Sequence, residues 1–388
     1  MSGRPHRAAG IALGGLIALA AAMGIGRFVY TPILPFMMES LGLTKAQGGV
    51  LASANFLGYL LGALAASAAA LPGGRRGWLL AALAVSALST ELMGLSSSME
   101  VFLGLRFVGG VASAFVLVFA SALVLERLAA AGRSALSAVH FAGVGCGIAV
   151  SAALVSGLAA QGGGWRTFWL FNGAVSLLAL GAVAWLVPSE AEAGRPEASS
   201  KEAGIDRRLI ALIAAYGLFG FGYVITATFI STMVRMSPEV RFIEPVIWLV
   251  VGVAAVPSVA LWTWIGRRLG NNRSFAIACL VEGVGVAMSV LATSVAAIVV
   301  SAALLGGTFM GITALGFIHA RSLSTGDPRR SLALMTAAFG LGQMIGPTFA
   351  GVVYDLGGGF SASSLAAAAA LFVAAGLVMT SGSPAEGG

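Results

Sequence analysis

Residues 8–38, AAGIALGGLIALAAAMGIGRFVYTPILPFMM, carry a single charged side chain, Arg27. About 20 apolar residues, each rising about 1.5 Å, cross the hydrocarbon of a bilayer, so this stretch is long enough to span it as a helix. A guanidinium keeps its proton in any ordinary environment, and placing one at the bilayer centre costs about 2.5–3.5 kcal/mol on insertion scales. Arg27 therefore needs a partner or a water-filled chamber.

The pattern recurs along the whole chain. Its 388 residues are 58% hydrophobic and 10% charged, with a mean hydropathy of +0.95, too much apolar surface for one water-soluble core. Twelve apolar segments are predicted to span a membrane: 8–38, 46–70, 77–95, 100–126, 134–159, 165–187, 208–234, 242–265, 273–293, 296–321, 330–355 and 361–381. Alternating strands of about ten residues are absent, which favours helices over a barrel. The first segment, preceded by Arg4 and Arg7, has the flavour of a signal peptide but is too long for one, and is read as a retained helix.

A net charge of +7 could point to nucleic acid, but the charges fall on alternate links between segments. With the amino terminus in the cytoplasm, 16 of the 22 basic residues lie inside, four outside (Lys45, Arg166, Arg235, Arg241) and two within helices, Arg27 and Arg106. This bias predicts cytoplasmic termini and excludes nucleic-acid binding as the reason for the charge. Cys146 and Cys279 stand alone inside segments, far from any metal-ligand spacing. Lys45 and Lys201 follow no glycine-rich phosphate loop, so no ATP-hydrolysing motif, metal or cofactor is expected, and the chain is not read as an enzyme.

The chain is written twice. Leu16-Ile17-Ala18-Leu19 returns as Leu209-Ile210-Ala211-Leu212, Phe28-Val29-Tyr30 as Phe221-Gly222-Tyr223, Gly74-Arg75-Arg76 as Gly266-Arg267-Arg268, Gly109-Gly110 as Gly306-Gly307, and Arg133-Ser134 as Arg330-Ser331. An ordered series at a nearly constant offset implies two six-helix halves, residues 1–187 and 208–388. The polar stretch 188–207 between them, with Glu190, Glu192, Arg195 and Lys201, is expected to be a cytoplasmic linker. Two parallel halves can rock about a central site.

On these features the chain resembles a major facilitator superfamily transporter. The run Gly24-Ile25-Gly26-Arg27-Phe28-Val29-Tyr30-Thr31-Pro32-Ile33-Leu34-Pro35 resembles the YbfB/YjiJ-like branch. The resemblance implies an all-α membrane protein of twelve transmembrane helices in two pseudo-symmetric bundles, with helices one, four, seven and ten lining a central cavity. Two departures stand out. Leu71 and Thr263 occupy the acidic position of the superfamily's second-to-third-helix loop, and Gly143, Gly145 and Gly147 lack the proline of the antiporter motif.

Arg27 on helix one and Arg106 on helix four then become the first candidates for substrate contact. Counting about 1.5 Å per residue, Arg27 lies about 28 Å from the inner end of its helix and Arg106 about 9 Å from the outer end of its own. Two forks at similar depth suit an oxyanion, because planar guanidinium matches a carboxylate in bidentate geometry. Structural alternatives are a Glu91–Arg106 ion pair, and Arg27 paired with Glu39 or backbone carbonyls. Tyr30, Asn55 and Tyr59 join the cationic wall; Asn55 has interhelical bonding as its alternative role. The equivalent positions in the second half are Gly220 and Ala303, so the facing wall is neutral and carries Tyr216, Tyr223 and Gln343, with packing as the alternative for the aromatics. His140, Glu91 and Glu282 are candidates for proton coupling, each with a structural alternative.

The expected function is secondary active transport of a small, carboxylate-like organic anion, as proton-coupled uptake by a monomer in the bacterial cytoplasmic membrane. The alternatives are proton-coupled efflux of amphipathic compounds, anion exchange, and ligand sensing without transport.

Overall fold

The computed structural model describes residues 3–68, 72–188, 206–324 and 328–381. Almost all of the expected linker, including Glu190, Glu192, Arg195 and Lys201, lies outside them, as does Leu71. Among the described residues every regular element is helical. In the first half, α1 (Gly3–Leu19) runs through a π-helical segment (Ala20–Ile25) into α2 (Tyr30–Leu41). It is followed by α3 (Lys45–Ala68), α4 (Arg75–Leu92), α5 (Met99–Ala130), α6 (Ser137–Ala160) and α7 (Trp165–Leu186). The second half comprises α8 (Arg207–Met236), α9 (Glu244–Ala255), α10 (Ser258–Leu269), α11 (Asn271–Leu291), α12 (Val295–Leu323), α13 (Pro328–Gly357) and α14 (Ser361–Ser381).

Eleven of these stretches are long and apolar enough to cross a membrane, and the pair ending in α9 and α10, bent by 42°, makes the twelfth span. The fold is the expected one, with two local differences. The eighth span is broken at Pro257, whose ring cannot continue the hydrogen-bond ladder. The first span is not one α-helix either. Pro32 lacks the N–H that would bond the Phe28 carbonyl, and its ring crowds that carbonyl. The chain leaves α-helical geometry over residues 20–29: Gly26 N–H bonds the Ala21 carbonyl and Phe28 N–H bonds Met23, both one residue beyond the α register. Arg27 sits in this break rather than on a smooth helix face.

Glycine sets how closely the helices approach. A Cβ on Gly110 of α5 would fall on the Asn55 carbonyl of α3, and one on Gly49 of α3 would fall on the Pro347 carbonyl of α13. The second contact joins the two halves. Further joins cluster toward the α2–α3 end. Arg235 makes a two-pronged bond to Glu39, both at 2.7 Å, and reaches Glu244 at 3.4 Å. The Asp355 carboxylate accepts from the first N–H groups of α3, Lys45 at 3.2 Å and Ala46 at 2.9 Å. Thr31 donates to the Ala227 carbonyl at 2.7 Å, and Ser53 bonds Thr348 at 2.8 Å.

Candidate functional site

The break in the first span turns Arg27 into the seam between the halves. The guanidinium is 3% exposed, lies 4.0 Å from the Tyr59 ring centroid and 4.7 Å from that of Phe56, and donates through Nη2 to Gln343 Oε1 at 2.8 Å. Phe56 and Tyr59 are three residues apart on α3, hence on one face, and form an aromatic bed for the cation. Gln343, on α13, spends its Nε2 proton on the Tyr223 hydroxyl of α8. The Arg27 Nε has no hydrogen-bond partner among the described residues.

Arg106 arrives from α5 beside it. Its Nη2 donates to the Arg27 carbonyl and its Nε to the Leu51 carbonyl, both at 3.4 Å, and the guanidinium lies 4.5 Å from the Tyr30 ring centroid. The two arginines therefore meet at one depth, joined through backbone. Among the described residues neither has an acid within ion-pair distance. Glu39 is engaged by Arg235 near the α2–α3 turn, so it does not serve Arg27. Glu91 does not serve Arg106: no ion pair joins the two, and the Glu91 backbone and Cβ pack on Gly173 of α7.

The remaining candidates divide by what they touch. Tyr59 and Gln343 contact Arg27 directly, and Tyr223 one bond further on. Tyr30 donates its hydroxyl to the Gly48 carbonyl at 2.8 Å, so it serves Arg106 with its ring while its oxygen is committed to α3. Asn55 holds the Arg106 carbonyl at 2.8 Å, an interhelical bond that fixes α5 on α3. Tyr216 lies deeper in an aromatic stack, 4.9 Å from the Phe339 ring and 5.6 Å from Phe219. That stack continues through Tyr223 to Phe309, with Tyr223 parallel to both Phe309 and Phe339. His140 is remote from this group: buried, bonded to Ser121 at 3.0 Å, its ring against Gly15. Glu282 is completely buried in α11, its oxygens without a partner among the described residues.

Sequence reasoning missed Trp248 of α9, buried with its indole N–H unpartnered, its ring 6.5 Å from Phe28. A lone tryptophan in an apolar helix carries no local sign that it meets Phe28 across the seam. It also missed the Phe56 bed, although its three-residue spacing from Tyr59 was readable.

The arrangement offers two fixed positive charges, unused donors on Arg27 and Trp248, and apolar rings around them. Residues 19–379 match the model of the family described as uncharacterised MFS-type transporter YbfB. A relative from Agrobacterium vitis, "Putative tartrate transporter", is 25% identical over 390 residues, covering 91% of this chain and 89% of that one. Multidrug resistance protein 2 of Bacillus subtilis (strain 168) is 23% identical over 355 residues, covering 87% and 86% respectively. A crystal structure of a mutant of the nucleoside transporter NupG shares the fold with a TM-score of 0.76 at 14% sequence identity, covering 97% of this chain and all of that one.

Proposed function

The chain belongs to the YbfB-type family of major facilitator transporters, and from that premise we propose that it moves a small carboxylate-like organic anion by alternating access, as proton-coupled uptake. The observation that carries this reading is the pair of buried guanidiniums, Arg27 and Arg106, with no acid beside them at the seam between the halves. A buried cation needs a counter-charge, and one that the protein withholds is left for a ligand to supply. In the closed arrangement the Gln343 amide oxygen takes the place that a carboxylate oxygen would take on Arg27. The Agrobacterium relative's name, with tartrate as its stated cargo, agrees with an anionic substrate.

These contacts support an alternating-access cycle. The α2–α3 end is fastened by Arg235–Glu39 and by Asp355 on α3, and with both termini in the cytoplasm, as the basic residues favour, it is the outer end. The two halves, 1–187 and 208–388, rock as units about the arginine seam, with the protein acting as a monomer in the bacterial cytoplasmic membrane. Opening the fastened end exposes Arg27 and Arg106 to the anion outside. The anion replaces Gln343, and closure carries it inward.

A thermal-stability screen of the purified protein against organic anions, tartrate included, tests the reading. Anions raise the Tm, and Arg27→Ala and Arg106→Ala each remove that rise. Loss of one charge-assisted hydrogen bond, worth about 1.5–3 kcal/mol, corresponds to an affinity loss of about tenfold to a hundredfold. The run of stacked rings from Tyr216 to Phe309, together with the multidrug-named relative, favours a second reading, efflux of amphipathic compounds. Stabilisation by neutral or cationic amphiphiles that survives both arginine substitutions establishes that reading and refutes the first. Counterflow without a proton gradient separates exchange from symport.

A further inference from the structure

Glu282 lies near the middle of α11, fully buried, with both carboxyl oxygens unpartnered among the described residues. An ionised carboxylate in such surroundings needs a cation or several donors beside it, and the described residues give Glu282 neither. The Thr308 hydroxyl on α12 gives its proton to the Leu304 carbonyl at 2.6 Å and is committed to its own helix.

α8, which carries Tyr223, packs against α11. The Tyr223 oxygen already accepts from Gln343, so its own proton remains free to be given. Gln343 in turn holds Arg27. The other titratable group near the carboxyl is Cys279, one turn earlier on α11. No charged neighbour from α12 or α14 accompanies it among the described residues. Hydrogen bonds thus join Tyr223 through Gln343 to the cation that the transport reading assigns to the anion, on a helix packed against the one that carries the buried acid.

We propose that Glu282 is the proton-carrying site of the transport cycle, its charge state coupled to Arg27 through Tyr223 and Gln343. The proposal rests on the anion reading above and deepens it. An exposed positive charge on Arg27 opposes the proton on Glu282. An anion on Arg27 removes that opposition, so anion and proton each favour the binding of the other, as symport requires. His140 has no such line: its contacts are Ser121 and Gly15, within the first half.

Infrared titration of the purified protein in lipid nanodiscs reads the site without any substrate. The expected result is a protonated-carboxyl band that disappears on alkaline titration, is missing in Glu282→Gln, and in Arg27→Gln disappears about half a pH unit or more higher. Tyr223→Phe, which keeps the ring and removes the hydroxyl, changes the same midpoint. In proteoliposomes with labelled tartrate as probe, Glu282→Gln keeps counterflow and loses accumulation driven by a proton gradient. A band that is unchanged in Glu282→Gln, or a midpoint indifferent to Arg27→Gln and Tyr223→Phe, overturns the proposal. So does gradient-driven accumulation at the wild-type rate by Glu282→Gln. Absence of any anion counterflow in the wild type refutes the transport reading instead, and the infrared titration still decides the proton site.

Discussion

The first spans of the two halves match in sequence at a shift of 193, yet they differ in shape and in charge. Residues 8–41 break at 20–29 and present Arg27; residues 207–236 form one unbroken helix, with Gly220 at the matching position. At the same offset, Pro32 and Pro35 correspond to Ile225 and Thr228. Pro32 removes a ladder bond at the end of the break and Pro35 one within α2, and neither has a counterpart in the other copy. A Cβ on Gly220 would press on the Phe339 carbonyl, so the second copy has no room for an arginine there. The scaffold is alike and the cation lies on one side: a broken, cationic helix faces an intact, neutral one.

The contrast can be broken at the junction itself. Gln343→Glu places a carboxylate where the amide now meets Arg27, giving the buried cation a permanent partner. The expected outcome is the largest of the series: a raised Tm, loss of the Tm response to anions, and uptake of labelled tartrate reduced at least about tenfold, in line with a charge-assisted bond of about 1.5–3 kcal/mol. Pro32→Ile combined with Pro35→Thr gives the first span the residues of the second. Interior proline costs a helix about 3 kcal/mol, so the repaired helix is expected to be at least as stable as the wild type while tartrate uptake falls several-fold, read by thermal unfolding and by uptake in parallel. The smallest effect is expected of Glu39→Gln. Its pairing with Arg235 is about half exposed on the glutamate side, and exposed pairs contribute about 0.2–1 kcal/mol. The Tm should fall by no more than a few degrees, and 0.5 M salt should produce a similar fall in the wild type and little further fall in the variant.

Much of this was legible in the sequence because it was local. Segment lengths, the repeat and the basic links follow from composition read along the chain, and ten of the expected segments coincide with unbroken helices to within a few residues. Pro257 lay in view inside the eighth segment, yet hydropathy runs straight through a bend. The first break was harder still. Pro32 and Pro35 mark a place where the helix can kink, but they do not reveal that the π-helical segment begins twelve residues before Pro32, at Ala20. In the site, the depths of Arg27 and Arg106 followed from counting along helices. Their partners did not, since Gln343 meets Arg27 across 316 positions of sequence, and the choice between Glu91 and backbone carbonyls for Arg106 depends on which way α4 is turned. Rotation of a helix about its own axis is set by packing with its neighbours, and an all-apolar helix carries little periodic signal of it.

Both ends of the Gln343 side chain are occupied, the oxygen by Arg27 and the nitrogen by Tyr223. In the proposed cycle Gln343 is thus a tethered competitor for the cation, and an arriving anion wins only by evicting it. Measured dissociation constants will report that contest rather than the bare attraction of two arginines, and will be weaker than the latter by the fraction of molecules in which the amide has already swung away. Cargo held this loosely is cargo that can be let go on the far side.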